Sequence, residues 1–310
     1  MRIKKYLNQF HVYRFLAYKM QKYLTERNPK HEINRMYKAV FHKLPNLDNP
    51  KNLIEKIYWM QLHCDTSLWT LCADKYRMRE YVHECGCGSY LPMLYGAWKN
   101  PEEIDWDALP QSFVIKANNG CETVLVVTDK SKYDFKKIKK MLKNWLSIPF
   151  GYRGYQPHYL GIEPCIIAEE LLEQDEVQKT VSPRSIIDYK VWCFSGKAES
   201  ILVTYNRNGH ELSIALYDTN WNSMGNRLHS NEKIRYNPEV NIPKPICLKE
   251  MLSVAERISL NHPQIRVDFY IINNRPVLGE LTMSTGYGYF TEEYYDYLGS
   301  LTDISLLRKI

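Results

Sequence analysis

In the stretch IRVDFYIINNRPVLGELT, Ile265 to Thr282, two apolar, β-rich runs of strand length flank Asn273-Asn274, a pair that favours a tight hairpin turn. The pattern predicts two antiparallel strands. If Asp268 and Glu280 share a face of that hairpin, two carboxylates meet on it, with Arg266 beside the first. QSFVIKANNGCETVLVVT repeats the strand, turn, strand pattern: Phe113 to Ile115 is a buried run ending in Lys116, Asn118-Asn119-Gly120 the turn, and Thr123 to Val127 the return. IIDYKVWCFSGKAESILVTY predicts a hairpin turning at Ser195-Gly196-Lys197, in which Asp188 and Lys190 share one face and Tyr189 and Val191 the other. EPCIIAEELLE reads as a strand through Ile166, Ile167 and Ala168 that leaves its sheet over Glu169, Glu170, Leu171 and Leu172. HELSIALYDTNWN adds a further strand.

Helical spacing marks the rest. Tyr6, Phe10, Tyr13, Phe15, Leu16, Met20, Tyr23 and Leu24 recur at roughly helical intervals among lysines and arginines. Pro45, Asn46, Asn49 and Pro50 break that pattern, and a new helix runs from about Leu53 to Leu62. Asp74 reads as the N-cap of a helix carrying Lys75, Arg77, Arg79 and Glu80, closed by Gly86 and Gly88. Residues 89–110 read as a short strand and a loop. Lys130 to Leu146 and Met251 to Ser259 are the remaining helices. Between the first of these and Glu163, PFGYRGYQPHYLG carries Arg153 and His158 in a composition that suits a mobile lid or a plain loop.

Composition narrows the class. With 310 residues, 45% hydrophobic and 25% charged, the chain can bury a sizeable core, and no apolar run is long enough to span a bilayer. Neither a secretory signal nor a dense disulfide framework is visible among the eight cysteines, so the expected location is the cytoplasm with reduced thiols. The Cys64, Cys72, Cys85 and Cys87 spacing is not that of a zinc ribbon or finger. Charge is concentrated at the start: residues 1–43 hold eleven Lys/Arg against Glu26 and Glu32, a net +9, and the remainder sums to −3. A basic amphipathic helix suits an anionic membrane surface, a peripheral contact at the inner face; a partner-facing or domain-packing helix is the competing reading. Nucleic acid is not expected as a partner, since no binding motif appears and the rest of the chain is not basic.

Three places suggest chemistry. Two carboxylates completed by phosphate oxygens and water suit Mg²⁺ on a nucleotide, although acidic residues on adjacent strands also form solvated faces. A lysine that ends a strand beside a turn, as Lys116 does, is placed for a phosphate, with backbone N–H groups of the turn as an anion cradle. Tyr205, Arg207, His210, Tyr217 and Trp221 lie where a sugar would stack.

The ordered set DK…R, FVIKANNG, IIAEELL, DYKVWCFSGK, RVDFY and GELT, spread over roughly residues 70–300, resembles the TupA-like branch of the ATP-grasp superfamily. The resemblance implies an α+β fold in which two subdomains with antiparallel sheets clasp ATP. Its expected divisions are a basic helical extension over 1–48, a helical/αβ subdomain over 49–110, the small ATP-grasp subdomain over 111–172 and a C-terminal subdomain with the metal site over 173–310. It implies phosphate contacts from Lys75 and Lys116 with Arg79 a helper, Gly120 in the phosphate loop, adenine reading by Glu169, Glu170, Leu171 and Leu172, and ribose binding by Asp188. Asp268 and Glu280 match the Mg²⁺ carboxylates. Thr282 stands where the family usually has an asparagine ligand, and Cys121-Glu122 where more glycine is usual. The implied activity is ATP-dependent, ADP-forming carboxylate–amine ligation through an acyl phosphate, with Arg266 holding the reacting acyl group. Lys190 supports the phosphates or pairs with Asp188 or Glu170. The implied substrates are a uronic acid of a capsular or cell-surface polysaccharide, or its precursor, and an amine or amino acid. A glycosyltransferase, a kinase and a non-catalytic nucleotide-binding module are the alternatives; the DxD acid pair of one metal-dependent glycosyltransferase type is absent.

Overall fold

The computed structural model describes the backbone from His11 to Ile310 and side chains from Leu16 onward. Tyr6, Phe10, Tyr13 and Phe15 of the expected N-terminal stripe therefore lie outside the described side chains. The chain divides into two compact units: residues 1–45, 66–76 and 93–171 form one, and residues 46–65, 77–92 and 172–310 the other. Residues 49–110, expected as one subdomain, are shared between them.

The N-terminal helical stretch is two helices, α1 (His11–Arg27) and α2 (Pro29–Phe41). Asn28 makes the break, because its side chain accepts from the His31 N–H and Pro29 takes the first helical position, where a missing N–H costs nothing. In α3 (Leu53–His63) a capping box fixes the start: Asn52 accepts from the Glu55 N–H at 3.0 Å and Glu55 accepts from the Asn52 N–H at 3.3 Å. Asp74 is a correction. It follows α4 (Ser67–Ala73) as the C-terminal cap residue, and α5 (Met78–Glu84) begins only after Arg77. Its carboxylate instead accepts from the Tyr76 N–H at 2.8 Å and from Asn118. A short polar acid serves a turn as readily as a helix start, so the sequence left the two indistinguishable.

In the first unit, β1 (Leu94–Trp98), β2 (Phe113–Ala117), β3 (Val124–Val127) and β4 (Ile166–Glu169) form an antiparallel sheet in the order β1-β4-β2-β3. The period of two is clean in β2: Phe113, Ile115 and Ala117 enter a core with Val127, Ile166 and Ala168, while Lys116 points to the other face. The helix α6 (Phe135–Leu146) covers that core with Ile138 and Leu142. The loop after it contains one short helical turn, α7 (Pro157–Leu160), packed on α4.

After α8 (Glu176–Val181), the second unit is built on β5 (Asp188–Phe194), β6 (Lys197–Asn208), β7 (Glu211–Asp218), β8 (Ile234–Tyr236), β9 (Ile265–Ile272) and β10 (Arg275–Thr282). Their order is β10-β9-β5-β6-β7-β8, antiparallel except where β8 runs parallel to β7. The expected hairpin turns are present: Asn273 and Asn274 both take positive φ, 51° and 57°. The helix α9 (Leu248–Ser259) packs on β5, β6 and β9, and α10 (Glu292–Leu301) packs on α3. Tyr189, Val191, Val267 and Phe269 are buried. Their strand neighbours Asp188, Lys190, Arg266 and Asp268 therefore project from the opposite face of the sheet.

Candidate functional site

The expected site residues fall into two groups, one in each unit. In the first, Lys116 of β2 and Glu169 of β4 lie diagonally on one face, because Val114 opposes Glu169 and Lys116 opposes Ile167. The Lys116 ammonium is 2.5 Å from a Glu169 carboxylate oxygen. Glu169 is almost wholly buried, so the Lys116 ammonium offsets part of the cost of taking that carboxylate out of water. Glu170 continues the strand: its N–H donates to the Met93 carbonyl at 3.0 Å and its carboxylate accepts from the Met93 N–H at 3.0 Å. Leu171 and Leu172 are half-buried and mark the join between the units.

The turn after β2 is tied down by its first residue, whose side chain faces inward. Asn118 is fully buried and uses every polar atom: its amide donates to Asp74 and to the Glu163 carbonyl, both at 2.9 Å, and its side-chain oxygen accepts from the Cys165 N–H at 2.8 Å. Its backbone N–H donates to the Cys165 carbonyl at 3.0 Å, and its carbonyl accepts from the Lys75 N–H at 2.9 Å. Lys75, which lies in a turn and not at a helix start, donates from Nζ to the Gly120 carbonyl at 2.7 Å. Gly120 takes φ +75°, and a Cβ there would meet the Phe150 ring at 2.7 Å, so both conformation and space require glycine. Glu122 also sits at positive φ, 63°.

The second group is a pair of rows across the sheet. Glu280 on β10 opposes Asp268 on β9, which opposes Lys190 on β5; in the next row Thr282 opposes Arg266, which opposes Trp192. The two carboxylates thus share a face, as the metal reading requires. A β-bulge brings this about. From a two-residue turn with Ile272 opposite Arg275, regular pairing would set Gly279 against Asp268 and turn Glu280 toward the core face. The register shifts between Leu278 and Glu280, Gly279 becomes the extra residue, and Glu280 moves opposite Asp268. An isolated glycine inside an apolar strand run is the sequence signal for such a bulge.

The charges are tightly paired. Arg266 donates from Nε and Nη2 to the two oxygens of Asp268, each at 2.7 Å, from Nη2 also to the Thr282 hydroxyl at 3.1 Å, and from Nη1 to the Thr285 hydroxyl at 2.9 Å. Lys190 donates to Asp268 at 2.6 Å and, more closely still, to Asp188. Burial pushes the Asp268 carboxyl up, but Arg266 and Lys190 outweigh it and hold it below the usual carboxylate range. Burial disfavours the Lys190 ammonium, and Asp188 and Asp268 overcome that and raise it. The same balance raises Arg266. Asp188 is pushed up by burial and by its neighbour Asp268, against the pull of Lys190.

The donor set fits a hard divalent ion carried on a nucleotide. Asp268 and Glu280 stand side by side with oxygen ligands only, and such a site leaves the remaining positions to phosphate and water. Among the described residues no cluster of three or more His, Cys, Asp or Glu gathers as a complete protein cage. Thr282 lies on the same face, but its hydroxyl already accepts from Arg266. The proposed sugar-stacking set is a correction: Tyr205 and Tyr217 are buried, and Trp221 stacks on Tyr217 with centroids 4.2 Å apart, because large apolar rings in a long hairpin pack on each other.

A family model described as TupA-like ATP-grasp matches residues 55–302, well over half of the chain. The chain belongs to the TupA-like ATP-grasp family. The α+β ATP-grasp fold implied by the six motifs is thereby the fold of this chain. Solved structures similar to this TupA-like chain include a D-alanine–D-alanine ligase from Bacillus anthracis complexed with ATP, at 14% identity and TM-score 0.43, covering 77% of this chain and 66% of that one. An L-amino acid ligase from Bacillus licheniformis is 12% identical, with TM-score 0.46 and coverage of 96% and 62%. The ATP-grasp ligase PsnB, complexed with a minimal precursor, Mg and ADP, is 11% identical, with TM-score 0.41 and coverage of 80% and 66%. The chain thus spans about two thirds or less of the length of these ligases. No curated protein matches it in sequence. Among the described residues no helix is long and apolar enough to cross a membrane.

Proposed function

We propose that the chain is an ATP-dependent, ADP-forming carboxylate–amine ligase. The observation that carries the reading is the row Glu280, Asp268, Lys190, with Arg266 clasping Asp268 in the next row. Lys75 and Lys116 contact the ATP phosphates, the backbone of Glu169 to Leu172 and the Glu169 or Glu170 carboxylate read adenine, and Asp188 binds ribose. Asp268 and Glu280 would hold Mg²⁺, with Thr282 an accessory oxygen, and the ion would supply positive charge against the triphosphate. A substrate carboxylate oxygen attacks the γ-phosphorus as ADP leaves, and an amine then attacks the acyl carbon, releasing phosphate and one proton to leave an amide. Positioning and fixed charge do most of this work, because phosphoryl transfer asks little covalent chemistry of the protein. Four of the five Arg266 N–H bonds are spoken for, and the remaining Nη1 hydrogen is the one that reaches the acyl phosphate and the tetrahedral oxyanion.

The substrates we propose are a uronic acid of a surface polysaccharide or its precursor and an amine or amino acid, a reading that rests on the family resemblance. The basic, partly apolar N-terminal helix supports work at the inner face of a membrane. Purified protein with Mg²⁺ and ATP should release ADP when uronic-acid saccharides and amines are supplied together. Alanine at Lys116, Asp268 or Glu280 should each lower that rate by about 100-fold or more. Activity that survives all three substitutions ends the proposal, and phosphate retained on the product would make the protein a kinase.

A further inference from the structure

Asp268 holds two roles that exclude each other. Its oxygens are the expected metal ligands, yet both already face protein cations: Arg266 on Oδ1 and Oδ2 at 2.7 Å, and Lys190 on Oδ2 at 2.6 Å. All three residues are less than a tenth exposed, so water screens little of this. Asp188, Lys190, Arg266, Asp268 and Glu280 together carry a formal charge of −1. A divalent ion arriving alone would meet two ammonium or guanidinium groups at the oxygen it needs. Arriving on ATP, it brings a polyphosphate whose negative charge can take one of those cations in exchange.

The two cations differ in freedom. Arg266 is a planar fork fastened to Asp268, Thr282 and Thr285, whereas Lys190 is a point charge on a flexible stem, with Asp188 as a second partner on its own strand. We propose that Lys190 is the resident counter-ion of Asp268 and competes with the divalent metal for Oδ2, so that the metal enters with the nucleotide and not before it. In this scheme the metal displaces Lys190 from Asp268, and the freed ammonium turns to the incoming phosphates. Metal and nucleotide then bind with positive coupling, each removing an obstacle to the other. The inference rests on the reading that Asp268 and Glu280 hold the metal.

Mn²⁺ titrations of the full chain, followed by electron paramagnetic resonance, test it without turnover. Wild-type protein should take up Mn²⁺ weakly alone and much more tightly with a non-hydrolysable ATP analogue. Lys190→Met and Lys190→Gln should bind nucleotide-free Mn²⁺ at least about tenfold more tightly than wild type, and Lys190→Arg should not. Equal nucleotide-free affinity in wild type and both neutral variants overturns the proposal while leaving the metal site intact. So does tight Mn²⁺ binding to wild type alone that Asp268→Asn removes, a result that needs no Lys190 variant to fold. If Glu280→Gln and Asp268→Asn leave the ternary Mn²⁺ signal unchanged, the metal reading itself is wrong, and the counter-ion proposal falls with it.

Discussion

Asn118 illustrates how one short polar side chain can hold a loop from inside. Five hydrogen bonds join it to Asp74, Lys75, Glu163 and Cys165, and water has no access to supply replacements. Replacing it with alanine removes the three side-chain bonds and leaves a buried carboxylate, a carbonyl and an N–H without those partners. Asp74 keeps the Tyr76 N–H, so the cost falls mainly on the Glu163 carbonyl and the Cys165 N–H at about 1–3 kcal/mol each, and Asn118→Ala should destabilise the protein by roughly 2 kcal/mol or more in urea unfolding. A loss below about 0.5 kcal/mol would mean that the segment rearranges freely and that Asn118 does not set the position of Lys75 and Gly120. The motif NNG read as turn chemistry in the sequence, and that much was correct. What stayed hidden was that the first asparagine faces inward, since its partners come from segments far apart in the chain. Gly279 is the contrasting case. The sequence left the facing of Glu280 conditional; regular hairpin pairing would have sent it to the core face, and the bulge at Gly279 turns it beside Asp268.

At the level of single elements, strands were more legible than helix ends. β2, β5 and β9 alternate with a period of two, and the turns between them carry Asn or Gly, so pairing and facing followed from local pattern. The break at Asn28 was missed because lysine-rich amphipathic spacing continues across it. The resulting α1 is unusual in which face it shows. Toward the protein it presents Thr25, buried and donating to the Tyr152 carbonyl at 3.0 Å, with Tyr18 edge-on to Tyr152 at 5.6 Å. Outward it exposes Leu16, Met20, Tyr23 and Leu24, spaced as one helical stripe beside Lys19 and Arg27. An apolar stripe edged by positive charge matches the acyl and anionic headgroup layers of a membrane surface. Sedimentation with phosphatidylglycerol vesicles should therefore recover the protein, recovery should weaken in about 0.5 M salt, and pure phosphatidylcholine should recover much less. The double substitution Leu16→Glu and Met20→Glu should reduce binding at least about tenfold. Unchanged binding by that variant would assign the stripe to something other than lipid.

For the whole molecule, the family and the α+β fold class were legible because six motifs kept their order. Residues 49–110 contribute to both units: β1 completes the first sheet beside β4, while α3 packs on α10 from the far end of the chain. Both units share one device that local pattern also concealed, a buried imidazole. His158 of the first unit lies edge-on to Trp69, and His262 of the second edge-on to Tyr81. Burial lowers these histidines to about 3 and about 4 respectively, so both are neutral in the folded protein. In the unfolded chain each takes a proton below about pH 6.5. Because the folded value lies below the unfolded one, the unfolded state binds more protons as pH falls, and stability is lost from pH 6.5 downward until the folded values are reached. The loss is about 1.4 kcal/mol per pH unit for each histidine, or roughly 3 kcal/mol for each unit of the protein at pH 4.5. Asp268, held low by Arg266 and Lys190, begins its own acid loss as pH falls through the ordinary carboxylate range and continues it below, and Asp188, pushed up, acts in the opposite sense. The histidine effect is therefore read as a difference: denaturant unfolding of wild type should weaken steeply between pH 6.5 and 4.5, and His158→Gln with His262→Gln should flatten that slope. If the doubly substituted chain keeps the wild-type pH dependence, acid sensitivity in this window arises elsewhere than in the two imidazoles.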